Sequence, residues 1–157
     1  MKLSILIPCY NEELTLREIV QLVQTALKEE DHEIILIDDA SSDRTHEIIE
    51  ELAKKEESIT AVFHDNNSGK GAAIRSGISR ATGDVVIFQD ADLEYDPNEY
   101  EKLLKPIISG KADVVYGSRF RTGEAARVLY FWHRIGNALL TGFSNFFTNL
   151  NLTDMET

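Results

Sequence analysis

The run "FQDADLEYDPNEYE" holds the densest chemistry in the chain, because Asp90, Asp92, Glu94, Asp96 and Glu99 follow directly on an apolar segment. On an extended backbone residues two apart point the same way, so Asp90 and Asp92 can converge on one hard cation, with Glu94 next in the series. Three carboxylates this close repel unless a cation neutralises them, which a divalent metal would do. An EF-hand loop is excluded: Tyr95 stands at its required glycine, Pro97 interrupts it, and an apolar strand precedes it. A phosphatase-type acidic pair belongs after the first strand, whereas this pair follows the fourth apolar run. A solvated acidic turn is the plain alternative. Asp96 and Pro97 read separately, as the cap and first turn of a helix whose dipole Glu99 and Glu101 favour.

A second acidic pair, Asp38 and Asp39, ends the run "EIILID". One carboxylate there can accept from the N–H groups of a nucleobase while the other caps the following turn, and capping alone accounts for either residue singly. "NNSGKGAAIRSG" lacks the ending of a Walker A loop and the third glycine of a dinucleotide fingerprint. It reads better as a glycine turn opening a small-residue helix packed on a sheet than as a ligand contact. His32, His46 and His64 have no metal-spaced partner and read as structural.

The elements that must position these groups follow from the apolar pattern. Five runs, "KLSILIP", "EIILID", "ITAVFH", "DVVIFQ" and "ADVVYG", alternate with helical spacing. Leu14, Leu16, Ile19, Val20, Val23 and Leu27 fit one helix face; Ile48, Ile49 and Leu52 fit another, with Ser41 and Ser42 as its caps. Continuous apolar strands alternating with helices imply an α/β, doubly wound fold with a parallel sheet covered on both faces. Ligands in such sheets bind beyond the carboxyl ends of the strands. Those ends carry Pro8 to Glu12, Asp38 and Asp39, His64, Asp90 to Asp92, and Ser118 with Arg119.

At 157 residues the chain suits one domain, and its net charge of -11 argues against a nucleic-acid partner. Cys9 is the single cysteine, which suits packing in a reducing compartment. The opening "MKLSILIPCYNEE" reads as a strand and not as a signal peptide. Residues 135–152 are free of charge but rich in Asn, Thr, Ser and Gly, so a membrane span is not expected. Leu129, Trp132, Gly136, Leu139, Leu140, Phe143, Phe146, Phe147 and Leu150 form an aromatic-rich helical stripe, read as two helices broken near Gly142. That stripe either closes the core or lies against a membrane surface, with Arg127 and Arg134 facing lipid phosphates.

"ILIPCYNEE", "ILIDDASSD", "NSGKGAAIRSG", "FQDADLE" and "VVYGSRF", in this order and spacing, resemble family 2 glycosyltransferases of the GT-A fold. Within them the likeness is to the dolichyl- or polyprenyl-phosphate sugar synthases, the group that includes the dolichol-phosphate mannosyltransferases. The resemblance implies a Rossmann-like GT-A domain over residues 1–157, with a nucleotide-sugar-binding core at 1–118 and a helical acceptor or membrane-interface segment at 119–157. It implies inverting transfer of a hexose, mannose or glucose, from a GDP- or UDP-linked sugar to a polyprenyl or dolichyl phosphate at the cytoplasmic face of a membrane.

By the same resemblance, Pro8, Tyr10, Glu12, Ile37 and Asp39 form the nucleoside pocket. Asp90, Ala91, Asp92 and Glu94 hold the diphosphate and a Mg²⁺ or Mn²⁺ ion, with Asp92 and Arg119 as catalytic groups. Arg127, His133 and Arg134 are candidates for the acceptor phosphate. Two alternatives stay open: a family 2 transferase acting on a glycan hydroxyl, and a module that binds nucleoside diphosphates without turnover. Ala40 replaces a glycine common in the second motif, and Glu94 stands where some relatives have glutamine. Relatives continue beyond "LTDMET" from about Asp154, so a catalytic-domain fragment is expected.

Overall fold

The computed structural model describes residues 1–117 and 131–154. It contains two compact units, Met1–Asn98 and Glu99–Thr157. The first unit realises the strand and helix alternation: β1 (Leu3–Cys9), α1 (Leu16–Ala26), β2 (His32–Asp38), α2 (Thr45–Lys55), β3 (Ile59–Phe63), α3 (Lys70–Ile78) and β4 (Val85–Phe88). The four strands form one sheet in the order β3-β2-β1-β4, and every ladder is parallel. Cys9 lies opposite Asp38 and Asp38 opposite Phe63, so these strands end level with one another.

Burial explains the parallel arrangement. Ile5, Leu6, Ile7 and Ile34 to Ile37 are all buried, which requires cover on both faces of the sheet. Leu16, Ile19, Val20, Val23 and Leu27 are also buried and form the α1 face that the spacing predicts, each worth about 1.5–3 kcal/mol in removed apolar surface. Leu14 does not belong to that face: it precedes the helix and is exposed. In α3, a Cβ at Gly77 would stand 3.0 Å from Ile37 Cδ1 and 3.1 Å from Leu6 Cδ1. The small residues therefore let α3 close on the sheet, as the glycine-rich segment led us to expect.

α2 opens differently from expectation. Ser41 and Ser42 do not cap it; the helix begins at Thr45, whose amide donates to Asp43 Oδ1 at 2.9 Å. The two serines are used between loops instead: Ser41 Oγ accepts from the Asn11 amide, and the Ser42 amide donates to Asn11 Oδ1. Ile48 and Ile49 are buried on this helix, while Leu52 is only half-buried.

The amino-terminal edge of the sheet is closed by one carboxylate. Glu33 Oε1 accepts from Ser4 Oγ at 2.6 Å and from the Thr82 amide at 2.6 Å, and Oε2 accepts from Lys2 Nζ at 3.0 Å. Ser4 Oγ also accepts from the Gly83 amide at 2.9 Å. Burial alone would raise the Glu33 pKa, but the donors from Ser4, Thr82 and Lys2 outweigh it and bring the value down to about 2.

The second unit holds α4 (Tyr100–Ile108) and α5 (Phe131–Thr148). A 3₁₀ turn at Pro97–Glu99 precedes α4, and Asp96 Oδ1 accepts the Asn98 amide at 2.9 Å, the capping role expected of it. Two expectations fail here. The run 112–117 forms no strand: it joins no ladder, and Val114 and Tyr116 are exposed. A β-branched run becomes a strand only where a pairing edge receives it. α5 runs unbroken through Gly142, since a single helical glycine costs only about 1 kcal/mol. Its apolar stripe does not close a core either, because Trp132, Leu139, Phe143, Phe146 and Phe147 are exposed. The buried groups are polar: Asn137 Nδ2 donates to Asp154 Oδ1 at 2.6 Å, and Thr141 Oγ1 donates to Asn137 Oδ1 at 2.8 Å. Among the described residues no helix is long and apolar enough to cross a membrane.

Candidate functional site

The strand order fixes where a site can form. The chain moves outward from β1 to β2 to β3 and then returns to place β4 on the other side of β1, so the connections diverge at the β1/β4 boundary. Open α/β sheets carry their ligand crevice at such a point, beyond the strand carboxyl ends. A cavity of about 130 Å³ lies beyond the carboxyl ends of β1 and β2, against the start of α3, lined by Pro8, Cys9, Tyr10, Glu12, Asp39, Lys70 and Ala73.

Four of the five expected nucleoside-pocket residues, Pro8, Tyr10, Glu12 and Asp39, thus share one cavity. Ile37 does not line it; its side chain is buried in a cluster with Leu6, Ile35 and Ala73. Tyr10 is exposed, whereas Cys9 is buried. Burial, with the nearby charges of Asp38 and Glu12 adding to it, pushes the Cys9 thiol far above its ordinary range, so it is a packing group and not a nucleophile.

Asp39 is 3% exposed and already bonded. Its carboxylate accepts from the Ser68 amide at 3.0 Å, the Gly69 amide at 2.7 Å and His64 Nδ1 at 2.7 Å. Burial raises its pKa, but these donors overcome that and hold it below the usual carboxylate range. His64 continues through Nε2 to Ser76 Oγ at 2.8 Å, which gives it the structural role its sequence context suggests. Asp38 performs the capping half of the pair: Oδ1 accepts the Ser41 amide at 3.0 Å and Oδ2 meets His46 Nδ1 at 3.0 Å.

The acidic run after β4 differs from the extended segment assumed for it. Residues 91–93 form a turn and a bend, with Leu93 in the left-handed region at φ 62°. Alternation therefore fails, and Asp90, Asp92 and Glu94 do not converge. Asp90 is partly shielded and pairs with Lys70 Nζ at 2.5 Å. Asp92 is exposed, and its Oδ1 accepts the Glu94 amide at 3.0 Å. Among the described residues no group of three His, Cys, Asp or Glu side chains is arranged to hold a metal ion. The donor chemistry still suits Mg²⁺, which is commonly held by one or two carboxylates completed by substrate phosphates and not by an all-protein cage. Ala91 is buried at the base of this turn.

Two residues that the sequence reading did not single out make contacts at this edge. Lys70 reaches Asp90 from the first residue of α3, and the signal was a lone lysine between glycines at a crevice. Gln89 is 1% exposed and donates through Nε2 to the carbonyls of Asp90 at 3.0 Å and Tyr95 at 3.1 Å, tying the ends of the acidic turn. Nothing in its sequence context separates it from an ordinary strand residue. Arg119, Arg127 and the side chain of His133 lie outside the described residues, and Arg134 is exposed on α5.

Residues 4–154 match glycosyl transferase family 2. The chain belongs to that family. It is 34% identical over 135 residues to the dolichol-phosphate mannosyltransferase of Pyrococcus furiosus, covering 86% of this chain and 38% of that protein. It is 36% identical over 143 residues to the undecaprenyl-phosphate 4-deoxy-4-formamido-L-arabinose transferase of Proteus mirabilis, covering 89% of this chain and 43% of the relative. The chain thus spans about two fifths of the length of these curated relatives. Among solved structures, S. aureus TarS 1–349 in complex with UDP-GlcNAc superposes with a TM-score of 0.57 at 26% identity, over 78% of this chain and 39% of that one. The family 2 chain has the α/β, GT-A-like architecture expected of it, with a parallel sheet flanked by helices.

Proposed function

We propose that this family 2 domain binds a nucleoside-diphosphate sugar in the crevice at β1, β2 and β4 and transfers its sugar, with inversion, to a polyprenyl or dolichyl phosphate. The observation that carries the reading is the joining of Pro8, Tyr10, Glu12 and Asp39 in one cavity, beside the Asp90 to Glu94 turn at the sheet's switch point. Tyr10, Glu12 and Asp39 hold the nucleoside, and the turn after β4 receives the diphosphate. Asp90 and Asp92 would hold Mg²⁺ or Mn²⁺ together with donor oxygens, and the ion would supply neutralising charge to the leaving nucleoside diphosphate. Arg119 is assigned to the same diphosphate. Arg127, His133 and Arg134, in the segment 119–157, are assigned to the acceptor.

An acceptor phosphate is already anionic, so the protein has no need of a strong general base; its tasks are to align the phosphate and to stabilise the departing charge. The relatives named for dolichol phosphate and undecaprenyl phosphate support a lipid phosphate as acceptor. The exposed apolar face of α5 suits a place against the cytoplasmic face of a membrane. A glycan hydroxyl would instead require a carboxylate base. Asp154 is 1% exposed and bonded to Asn137, so it is not placed to serve as that base, which favours the phosphate acceptor.

Calorimetry with UDP and with GDP, each with and without Mn²⁺, tests the donor half. Metal-dependent binding that Asp92→Ala abolishes is expected; binding indifferent to both would overturn the diphosphate assignment. Transfer of radiolabelled sugar to a short polyprenyl phosphate tests the other half. Transfer to a soluble glycan alone would refute the lipid acceptor, and tight binding without any transfer would mark a binding module.

A further inference from the structure

We propose that Lys70 is a cation shared between two positions: it neutralises Asp90 while the crevice is empty, and it moves to the donor's diphosphate when a divalent ion takes its place on Asp90. The inference rests on the nucleotide-sugar reading and extends it to a residue that reading left unassigned.

Lys70 Nζ lies 2.5 Å from Asp90 Oδ1, and the Asp90 side chain is 28% exposed. A carboxylate shielded to that degree is costly without a partner, and Lys70 supplies one. The same lysine lines the cavity, where it is the only cation among the described lining residues and shares the wall with Glu12 and Asp39. An anion entering a pocket bordered by those two acids needs a compensating charge within reach. Lys70 can provide it because its side chain is 58% exposed and its ammonium rides on a flexible four-carbon stem.

The two positions compete on electrostatic grounds, since an ammonium and a divalent ion on one carboxylate repel each other and each weakens the other's hold. Metal entry therefore releases Lys70 at the moment the diphosphate arrives. The backbone links this exchange to the nucleoside end: Ser68 and Gly69, the residues just before Lys70, donate their amides to Asp39. A base that engages Asp39 thus acts on the loop that carries the lysine.

The test measures binding, not turnover. Mn²⁺ alone is titrated into the wild-type chain and into Lys70→Met by electron paramagnetic resonance, and UDP and GDP are then titrated at saturating Mn²⁺. Lys70→Met is expected to bind free Mn²⁺ about tenfold more tightly, having lost its competitor, and the nucleotide about tenfold more weakly, having lost a charge-assisted contact. Lys70→Arg, which keeps the charge, should retain most of the nucleotide affinity. Circular dichroism confirms that each variant is folded. Unchanged or weaker Mn²⁺ binding by Lys70→Met, or unchanged nucleotide binding, overturns the proposal. If the wild type binds nucleotide through Asp92 and Lys70→Met matches it, the lysine inference alone falls; if the wild type binds neither UDP nor GDP, the donor reading falls and takes this one with it.

Discussion

The two edges of the same sheet treat their carboxylates in opposite ways. At the amino edge, Glu33 is saturated by Ser4, Thr82 and Lys2, and its side chain is only 13% exposed. At the carboxyl edge, Asp92 and Glu94 are exposed and Asp90 is matched by one exposed lysine. Backbone strain divides the same way: Asn11, Ala40 and Leu93, the non-glycine residues at positive φ in the first unit, all follow strand carboxyl ends. Left-handed backbone costs roughly 1–2 kcal/mol at such residues. One edge is closed by bonds within the fold, and the other carries exposed acids and strained backbone.

The largest effect should come from breaking the saturated edge. Glu33→Ala removes the charged acceptor shared by the buried Ser4 hydroxyl, the Thr82 amide and the Lys2 ammonium and is expected to destabilise the fold by about 3 kcal/mol, read as a lower denaturant midpoint, while nucleotide affinity of the folded protein stays unchanged. Next is Gly83→Ala. Its Cβ would fall 2.7 Å from Ser4 Oγ and 2.8 Å from the Lys2 carbonyl, an overlap expected to cost about 2 kcal/mol in the same measurement.

Acid sharpens the contrast. Because the Glu33 pKa drops from 4.5 to about 2 on folding, the unfolded chain binds the extra proton between those values. The stabilisation is complete above about 4.5 and disappears as pH falls through about 2. Glu33→Gln should flatten the pH dependence of the unfolding midpoint in that window.

Smaller effects belong to the carboxyl edge. Ala40→Gly relieves a left-handed residue at φ 58° and should stabilise by up to about 1 kcal/mol, a small rise in thermal midpoint. Asp92→Ala should change stability by no more than about 0.5 kcal/mol while removing metal-dependent nucleotide binding. A large loss of stability there would erase the distinction between the edges.

How far the sequence foretold this depends on the kind of signal. The parallel sheet is legible because its strands are apolar on both faces, and Ala40, which stands in a glycine position, has the positive φ that such a position implies. The run "ADVVYG" misled because β-branched composition reports an aptitude for pairing, not the presence of an edge to pair with. The acidic run misled for a related reason: the alternation argument holds only on extended backbone, and Leu93 turns the chain. The commitments of Asp39 to Ser68, Gly69 and His64, and of Lys70 to Asp90, span 20 to 30 positions and leave no local pattern. Glu33 leaves no signal because a single glutamate in a strand carries no motif, although Lys2, Ser4 and Thr82 all donate to it at the amino edge.

The amide of Gln89 has a consequence for how such a domain can diversify. By gripping the carbonyls of Asp90 and Tyr95 it fixes both feet of the loop between them. Substitutions at positions 92–94 can then alter the charge and shape of the tip without shifting β4 against β1. One scaffold can in this way present new charge and shape at that edge while its folding instructions stay untouched.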